Sequence, residues 1–408
     1  METQVMVVEE GSGPRRISVF DTTLRDGEQA PGNAMRPDQK LALALAIEAL
    51  GVNVIETGFP SSSPSDFEAT RLISQALTTA EFATLNRAVR DDIRLAAEAG
   101  GVENHHMQIM ATGSDIHLEH KRGISRADGV KEIVDSFRYA RSLGFTKITL
   151  GIEDASRGSA ELLRPLIDAS LEEGATTVAL ADTTGWMVPS EFGDLVARVR
   201  DWVPSSVNVS THCHDDLGLS LANALAGIEA GADEVQATLA GIGERAGNTP
   251  LEELAAVFVY KGQELGITCD LKTEGLYEAF RLLCGSIGLV PPRNKAIFGD
   301  NAFATQAGIH QAGMLRHPIT YEQIEPHVFG RERAILVGRH SGRNVVRYVC
   351  EQVGVQAEEG LLTDVYERYV ANRTNGECVS MAELGQIILE MVKREGDDRA
   401  DAALEARV

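Results

Sequence analysis

The sequence is short of basic residues, of aromatics and of paired cysteines, and each shortage removes a class of protein. Lys and Arg number 38 against 60 Asp and Glu, for a formal net charge of -22. Such a surface repels nucleic-acid phosphates and anionic headgroups, so neither nucleic acid nor a membrane surface is an expected partner. A local cationic site for a small anionic substrate stays compatible with it. The five cysteines (Cys213, Cys269, Cys284, Cys350 and Cys378) are scattered, odd in number and without a C-x-x-C spacing. They read as reduced thiols of a cytoplasmic protein. The N-terminal stretch METQVMVVEEGSGPRR lacks the apolar segment of a secretory signal, and no apolar run is long enough to span a bilayer. Aromatics make up only 5%, so Ala, Leu and Val carry most of the 43% apolar content; with 24% charged residues this is the composition of a soluble globular enzyme. The 408 residues suffice for one large domain and a smaller one.

What the chain does have is a repeat of short β-rich runs: ISVF (17–20), VNVIET (52–57), FATL (82–85), MQIMA (107–111), KITLGI (147–152), TTVALAD (176–182), VNVSTH (207–212) and EVQATL (234–239). Between them lie stretches such as DQKLALALAIEALG, GVKEIVDSFRYARSLGF and SLANALAGIEAGA, with apolar residues at helical spacing and a closing glycine. Strand and helix alternate at a spacing of about thirty residues. This alternation predicts a parallel (β/α)8 TIM barrel over 16–285, against the alternative of an open doubly wound sheet, for which the Gly-rich dinucleotide turn after the first strand is missing. Residues 1–15 are expected to form an extension, 286–335 a linker or subdomain, and 336–408 a mainly helical C-terminal subdomain. In the last of these, Ser380 and Glu383 have capping-box spacing at the head of a helix, and the charged tail EGDDRADAALEARV is expected to fray.

Polar residues follow the strands, on the face where such barrels carry chemistry. His212 and His214, at i and i+2 on the seventh strand, project from one face and can offer two imidazoles to a divalent ion. Taken alone, a His-x-His is equally a pair of satisfied core histidines. Asp26, in DTTLRDGEQ after the first strand, supplies a carboxylate to complete a two-His, one-carboxylate set. Its neighbour Arg25 can face a developing oxyanion, or can simply form a loop salt bridge. The glycine-rich GIGERAGN (241–248) offers an anion-binding nest or a plain turn, and Asn248 at its end can approach the metal. Thr183 can hold a substrate carboxylate or cap the next helix. Glu153, closing the fifth strand, can act as a base or a hydrogen-bond partner. His310 and Tyr321, beyond the barrel, read locally as surface residues.

Together these segments resemble the 2-isopropylmalate synthase and homocitrate synthase family, the acyl-CoA-condensing branch of the DRE-TIM metallolyases. The resemblance is carried in order by DTTLRDGEQ (21–29), GFPSSSPSDFEA (58–69), EDAS (153–156), HCHDDLG (212–218), GIGERAGN (241–248), NKAIFG (294–299), AGIHQAG (307–313) and HSGR (340–343). It implies an acyltransferase that joins acetyl-CoA to a 2-oxo acid in a Claisen-type condensation and then hydrolyses the thioester. Asp26, His212 and His214 would hold a divalent metal (Mn, Mg, Co or Zn), with Asn248 at or near it. Arg25 would polarise the attacked carbonyl, Thr183 would bind the 2-oxo acid carboxylate, and Glu153 would line the site. His310 and Tyr321 resemble a catalytic pair that reaches the partner's barrel in a homodimer with shared active sites. The base is left open between Glu153 and this pair.

The chain departs from the family pattern at MQIMATG, where Met107 stands in place of a frequent histidine close to the expected substrate pocket, and at ADTTGW in place of PDTVGY. GFPSSSPSDFEA favours an isopropylmalate-type enzyme, whereas EDASRG and FGRERAILVGRHSGR are closer to homocitrate synthases. Citramalate and 2-phosphonomethylmalate types are further alternatives, and a hydroxymethylglutaryl-CoA-type lyase is the alternative class. No feedback through an added leucine-binding domain is expected.

Overall fold

The computed structural model describes residues 13–372 and 376–405. It divides into two compact units, Met1–Val290 and Pro291–Val408. Most of the expected N-terminal extension, residues 1–12, lies outside the described residues.

The first unit is a closed barrel of eight parallel strands: β1 (Ser18–Asp21), β2 (Val54–Glu56), β3 (Glu81–Arg87), β4 (His105–Thr112), β5 (Lys147–Glu153), β6 (Thr177–Asp182), β7 (Asn208–Cys213) and β8 (Glu234–Ala237). Closure comes from β1 pairing in parallel with β8, Ser18 opposite Glu234 through Asp21 opposite Ala237. Every β-rich run singled out in the sequence overlaps one of these strands, and the sheet is closed, so the open-sheet alternative falls. The helices that return the chain are α1 (Pro37–Ala49), α2 (Pro64–Ala76), α3 (Arg90–Gly100), α4 (Arg126–Ser142), α5 (Ala160–Glu172), α6 (Pro189–Trp202), α7 (Ser220–Glu229) and α8 (Leu251–Leu265), with α9 (Leu276–Ile287) ending the unit.

The side-chain period of two sorts each strand into two environments. Outward positions are apolar and meet the helices in one continuous core: Met107, Ile109 and Ala111 of β4, Ile148, Leu150 and Ile152 of β5, Val178 and Leu180 of β6, Val209 of β7. Inward positions are mixed: Phe20, Val54 and Ala83 form a small apolar cluster, while Gln108, Thr149, Thr177, Glu234 and Gln236 are polar and nonetheless buried. Buried polar groups mostly persist where hydrogen-bonded, and Gln108 and Gln236 are bonded to each other.

A second buried polar knot fastens the loop after β1 to the barrel wall. Lys40 of α1 is fully buried, and its ammonium donates to Glu28 Oε2 at 2.5 Å and Asp66 Oδ1 at 2.6 Å. Glu28 in turn accepts from the Met35 N–H. Nothing in the local sequence around Lys40 marks these two carboxylates, which only the fold brings to it.

The second unit contains α10 (Gly308–Arg316), α11 (Arg343–Gln352), α12 (Glu359–Tyr366) and α13 (Met381–Glu405). It clusters as one compact unit. Strand β9 (Ala304–Thr305) pairs in parallel with β10 (Ala334–Val337), which pairs antiparallel with β11 (Val379–Ser380). That sheet joins the stretch expected to be a linker to the helical remainder, over a core including Val337, Val346, Leu362 and Leu384. Ser380 and Glu383 form the reciprocal cap of α13: the Ser380 N–H donates to Glu383 Oε2, and the Glu383 N–H to Ser380 Oγ. The tail expected to fray is helical to Glu405, and its last three residues lie outside the described residues. All five cysteines are free, and among the described residues no helix is long and apolar enough to cross a membrane.

Removing one partner of a buried charge cluster leaves the others unpaired. Lys40→Ala is therefore expected to cost about 3 kcal/mol of barrel stability, seen as a lower urea midpoint by circular dichroism; an unchanged midpoint would contradict the clamp.

Candidate active site

The mouth of the barrel at the strand C-termini holds a cavity of ≈ 380 Å³ lined by Arg25, Asp26, Glu153, Thr183, His212 and His214, with Gln108, Gln236, Lys121 and Arg245. The residues reach it for local reasons. β1 ends at Asp21, whose carboxylate accepts from the Thr23 N–H and hydroxyl and so folds the chain back over the strand. Burial pushes the Asp21 carboxyl up to about 7, against the pull of those two Thr23 hydrogen bonds. The turn delivers Arg25 and the short helical segment Asp26–Gln29 into the mouth.

Asp26, His212 and His214 each offer one ligand atom, and these atoms lie within 4.8 Å of one another. His212 Nε2 is 3.3 Å from Asp26 Oδ2 and 3.3 Å from His214 Nε2; His214 Nε2 is 3.9 Å from Asp26 Oδ2. Gln236 Oε1 lies 2.8 Å from His212 Nδ1. A carbonyl oxygen can only accept there, so the proton sits on Nδ1 and the Nε2 lone pair faces the cluster. Burial opposes the charged form of Asp26, yet Arg25, His212 and His214 outweigh it and hold the carboxyl well below the usual range. Burial, with His212 alongside, lowers His214 to about 4, which leaves its imidazole neutral near neutral pH.

Lone pairs thus converge without enough protons to fill the space between them, and the donor set fits a divalent cation. A buried atom left without a partner points the same way. Asn248 gives its amide nitrogen to Asp26 Oδ1 at 3.1 Å and to the Ile242 carbonyl, but its Oδ1 has no hydrogen-bond partner.

At the ends of GIGERAGN the N–H groups of Gly241, Ile242, Gly247 and Asn248 are consumed within the protein. The loop brings Asn248 opposite His214 in an isolated bridge. Gly243 makes room for this, since a Cβ there would fall on the Asn248 amide. Arg245 closes the loop on Asp216 with two bonds of 2.8 Å and also donates to the Thr183 carbonyl.

Arg25 is buried between carboxylates, with Nε 2.7 Å from Glu56 Oε2 and Nη1 2.7 Å from Asp26 Oδ2. Thr183 lines the mouth, and its hydroxyl accepts from the Asp154 N–H at 2.8 Å. Glu153 takes the Lys121 ammonium on both oxygens at 2.6 Å, beside His117. Met107 requires a correction. It is fully buried in the strand–helix layer, where its sulfur meets the Asn86 amide at 3.0 Å. The pocket-facing residues of β4 are Gln108 and Met110, because a shift of one residue along a strand changes the face.

In the second unit His310 and Tyr321 do meet. Their ring centroids are 4.2 Å apart, inclined by 34°, and both are exposed. Gly313, one turn along α10 from His310, lets the Tyr321 ring approach: an added Cβ would sit 2.7 Å from Tyr321 Cε2.

Glu56, Gln108, Gln236, Lys121 and Arg87 escape a motif-based reading. Strand parity marks Gln108 and Gln236 as inward, and Glu56 closes β2, but as isolated residues they carry no pattern.

Residues 16–283 match the HMGL-like family, and residues 297–376 match the homocitrate synthase post-HMGL domain-like family. The chain is 42% identical over 364 residues to a 2-isopropylmalate synthase of Sediminispirochaeta smaragdinae, covering 88% of this chain and 72% of that one. It is 39% identical to the 2-isopropylmalate synthase of Nitratidesulfovibrio vulgaris, covering 95% and 76%. Among solved structures, an HMG-CoA lyase of Bacillus subtilis superposes with a TM-score of 0.59 at 18% identity, over 69% of this chain and 97% of that one. One from Pseudomonas aeruginosa gives 0.59 at 20%, over 68% and 95%. At such identity these two share the fold.

With Mn(II) as probe, His212→Ala and Gly243→Ala are each expected to weaken binding by about tenfold or more. The first removes a ligand; the second displaces Asn248. Calorimetry on folded variants checks both, and dissociation constants equal to the parent's would remove the metal assignment.

Proposed function

The chain belongs to the HMGL-like family, in its 2-isopropylmalate synthase and homocitrate synthase branch, and from that premise we propose that it is an acyltransferase condensing acetyl-CoA with a 2-oxo acid to give a 2-substituted malate. The observation that carries the reading is the convergence of Asp26, His212 and His214 beside a buried Arg25. The match of residues 297–376 to the homocitrate synthase post-HMGL domain supports condensation over the lyase alternative.

Asp26, His212 and His214 would hold the ion, and Asn248, whose Oδ1 has no partner, would be a further ligand or neighbour. A divalent ion (Mn, Mg, Co or Zn) would draw electrons from the keto group and raise the electrophilicity of its carbon. The chain's own groups have the remaining tasks. Arg25 is pinned by Glu56 and Asp26, so its guanidinium is oriented in advance toward charge growing on the keto oxygen. The Thr183 hydroxyl accepts from the Asp154 N–H through one lone pair, which orients the oxygen, and its own proton would go to a substrate carboxylate.

The methyl group of acetyl-CoA must lose a proton, and its carbon then forms the new bond to the keto carbon. Glu153 is one candidate for that base; it lines the mouth with both its oxygens paired to Lys121. The His310–Tyr321 pair, supplied by the partner of a homodimer, is the other; the close stacking of the two rings supports their acting as a unit. Water then cleaves the thioester, releasing free CoA and making the sequence irreversible. Among the 2-oxo acids, the isopropylmalate type is favoured by the identity to 2-isopropylmalate synthases along most of the chain.

Incubation of the metal-loaded protein with acetyl-CoA and a panel of 2-oxoisovalerate, 2-oxoglutarate, pyruvate and phosphonopyruvate is expected to release thiol, fastest with 2-oxoisovalerate. Silence with every acid would end the reading. Sharing of sites between subunits has its own test. Asp26→Ala and His310→Ala, each inactive, are expected to recover activity after co-refolding, because a mixed dimer then has one barrel and one pair intact in the same site. Mixed dimers without activity would place the pair outside the partner's site.

A further inference from the structure

Resting on the reading that this mouth condenses a 2-oxo acid, we infer that Met110 and Gly151 together gauge the length of that acid's side chain, with the Met110 thioether as an adjustable wall.

One layer of the barrel interior runs in register through Arg87, Met110, Gly151 and Ala179. Above it, Ala181 is paired with the metal-site residue His212. Interior layers of such barrels are ordinarily filled by bulky branched side chains. Here β5 and β6 contribute a hydrogen atom and two methyl groups, so room is left against their wall, directly beside His212. Leu85, inward beside Gln108, gives that room an apolar lining. An acid whose keto oxygen lies at the metal cluster would extend its side chain into this space.

Met110 is the long apolar side chain bordering it from the neighbouring strand, whereas Gln108 of that strand is held by hydrogen bonds to Glu56 and Gln236. An alanine Cβ at position 151 would lie 2.5 Å from Met110 Sδ and 3.2 Å from Cε. The thioether therefore lies across the bare backbone of Gly151, and it rests there only because that position has no side chain. A methyl group at 151 would displace the free end of Met110 rather than the barrel backbone, since methionine rotates readily about three bonds. The space open to it is the cavity that both residues line.

The test compares kcat/KM for pyruvate, 2-oxobutyrate and 2-oxohexanoate in the metal-loaded full chain. Gly151→Ala is expected to lower the 2-oxohexanoate-to-pyruvate ratio by about tenfold, the scale of one methylene in an apolar pocket. Met110→Ala is expected to raise the same ratio by a similar factor. The double variant should return toward the parent, because the new methyl no longer has a thioether to push. A ratio unmoved in Met110→Ala, or a double variant as restricted as Gly151→Ala, overturns the inference. If Gly151→Ala does not fold, Met110→Ala decides alone. Thiol release with unmoved ratios rejects only this inference, whereas no thiol release from the parent with any acid rejects the underlying reading and this inference with it.

Discussion

A line of hydrogen bonds crosses the inside of the barrel from Arg25 through Glu56, Gln108 and Gln236 to His212. Glu56 accepts from the Arg25 guanidinium on one oxygen and from Gln108 Nε2 on the other, at 2.7 and 2.9 Å. Gln108 Oε1 accepts from Gln236, which fixes the proton on His212. Each link comes from a different strand, so the network can exist only when β1, β2, β4, β8 and β7 stand in their closed order. The orientation of a cation, the tautomer of a histidine and the closure of the sheet are in this sense one constraint.

The same constraint explains why the inside of the barrel tolerates polarity. Gln108, Gln236 and Glu56 are buried, and an unpaired group there would cost far more than a single hydrogen bond contributes. Chained together, they satisfy each other and leave the ends of the chain aimed at the cluster of Asp26, His212 and His214. Arg25 pairs with two carboxylates, Asp26 and Glu56. The converging lone pairs of Asp26, His212 and His214 fit a divalent cation, and the Oδ1 of Asn248 beside them has no partner.

The chain spends glycine where chemistry needs backbone or side chains to come close. Gly243 admits the Asn248 amide, Gly313 admits the Tyr321 ring and Gly151 admits the Met110 thioether. In each case the argument concerns space rather than flexibility. Since neighbours in space and not in sequence set these requirements, the glycines carry no local signal beyond their presence in a motif or a strand.

By itself the sequence determined the eight strands, the alternating helices and the polar turns at their C-terminal ends, because a period of two and a period of 3.6 are written into local apolar spacing. It also brought His212 and His214 to one face, and it encoded the Ser380–Glu383 cap. Tertiary structure alone decided which face of β4 met the pocket, turning Met107 outward and Gln108 inward. It decided that Lys40 is a buried clamp, that residues 304–305 and 334–337 join one sheet, and that Glu56 and Gln236 serve a site whose other members lie far away along the chain. The physical reason is that register, closure and burial are properties of pairs of strands. A single stretch of sequence fixes the alternation of side chains, and only the partner strand fixes which half of the alternation faces the chemistry.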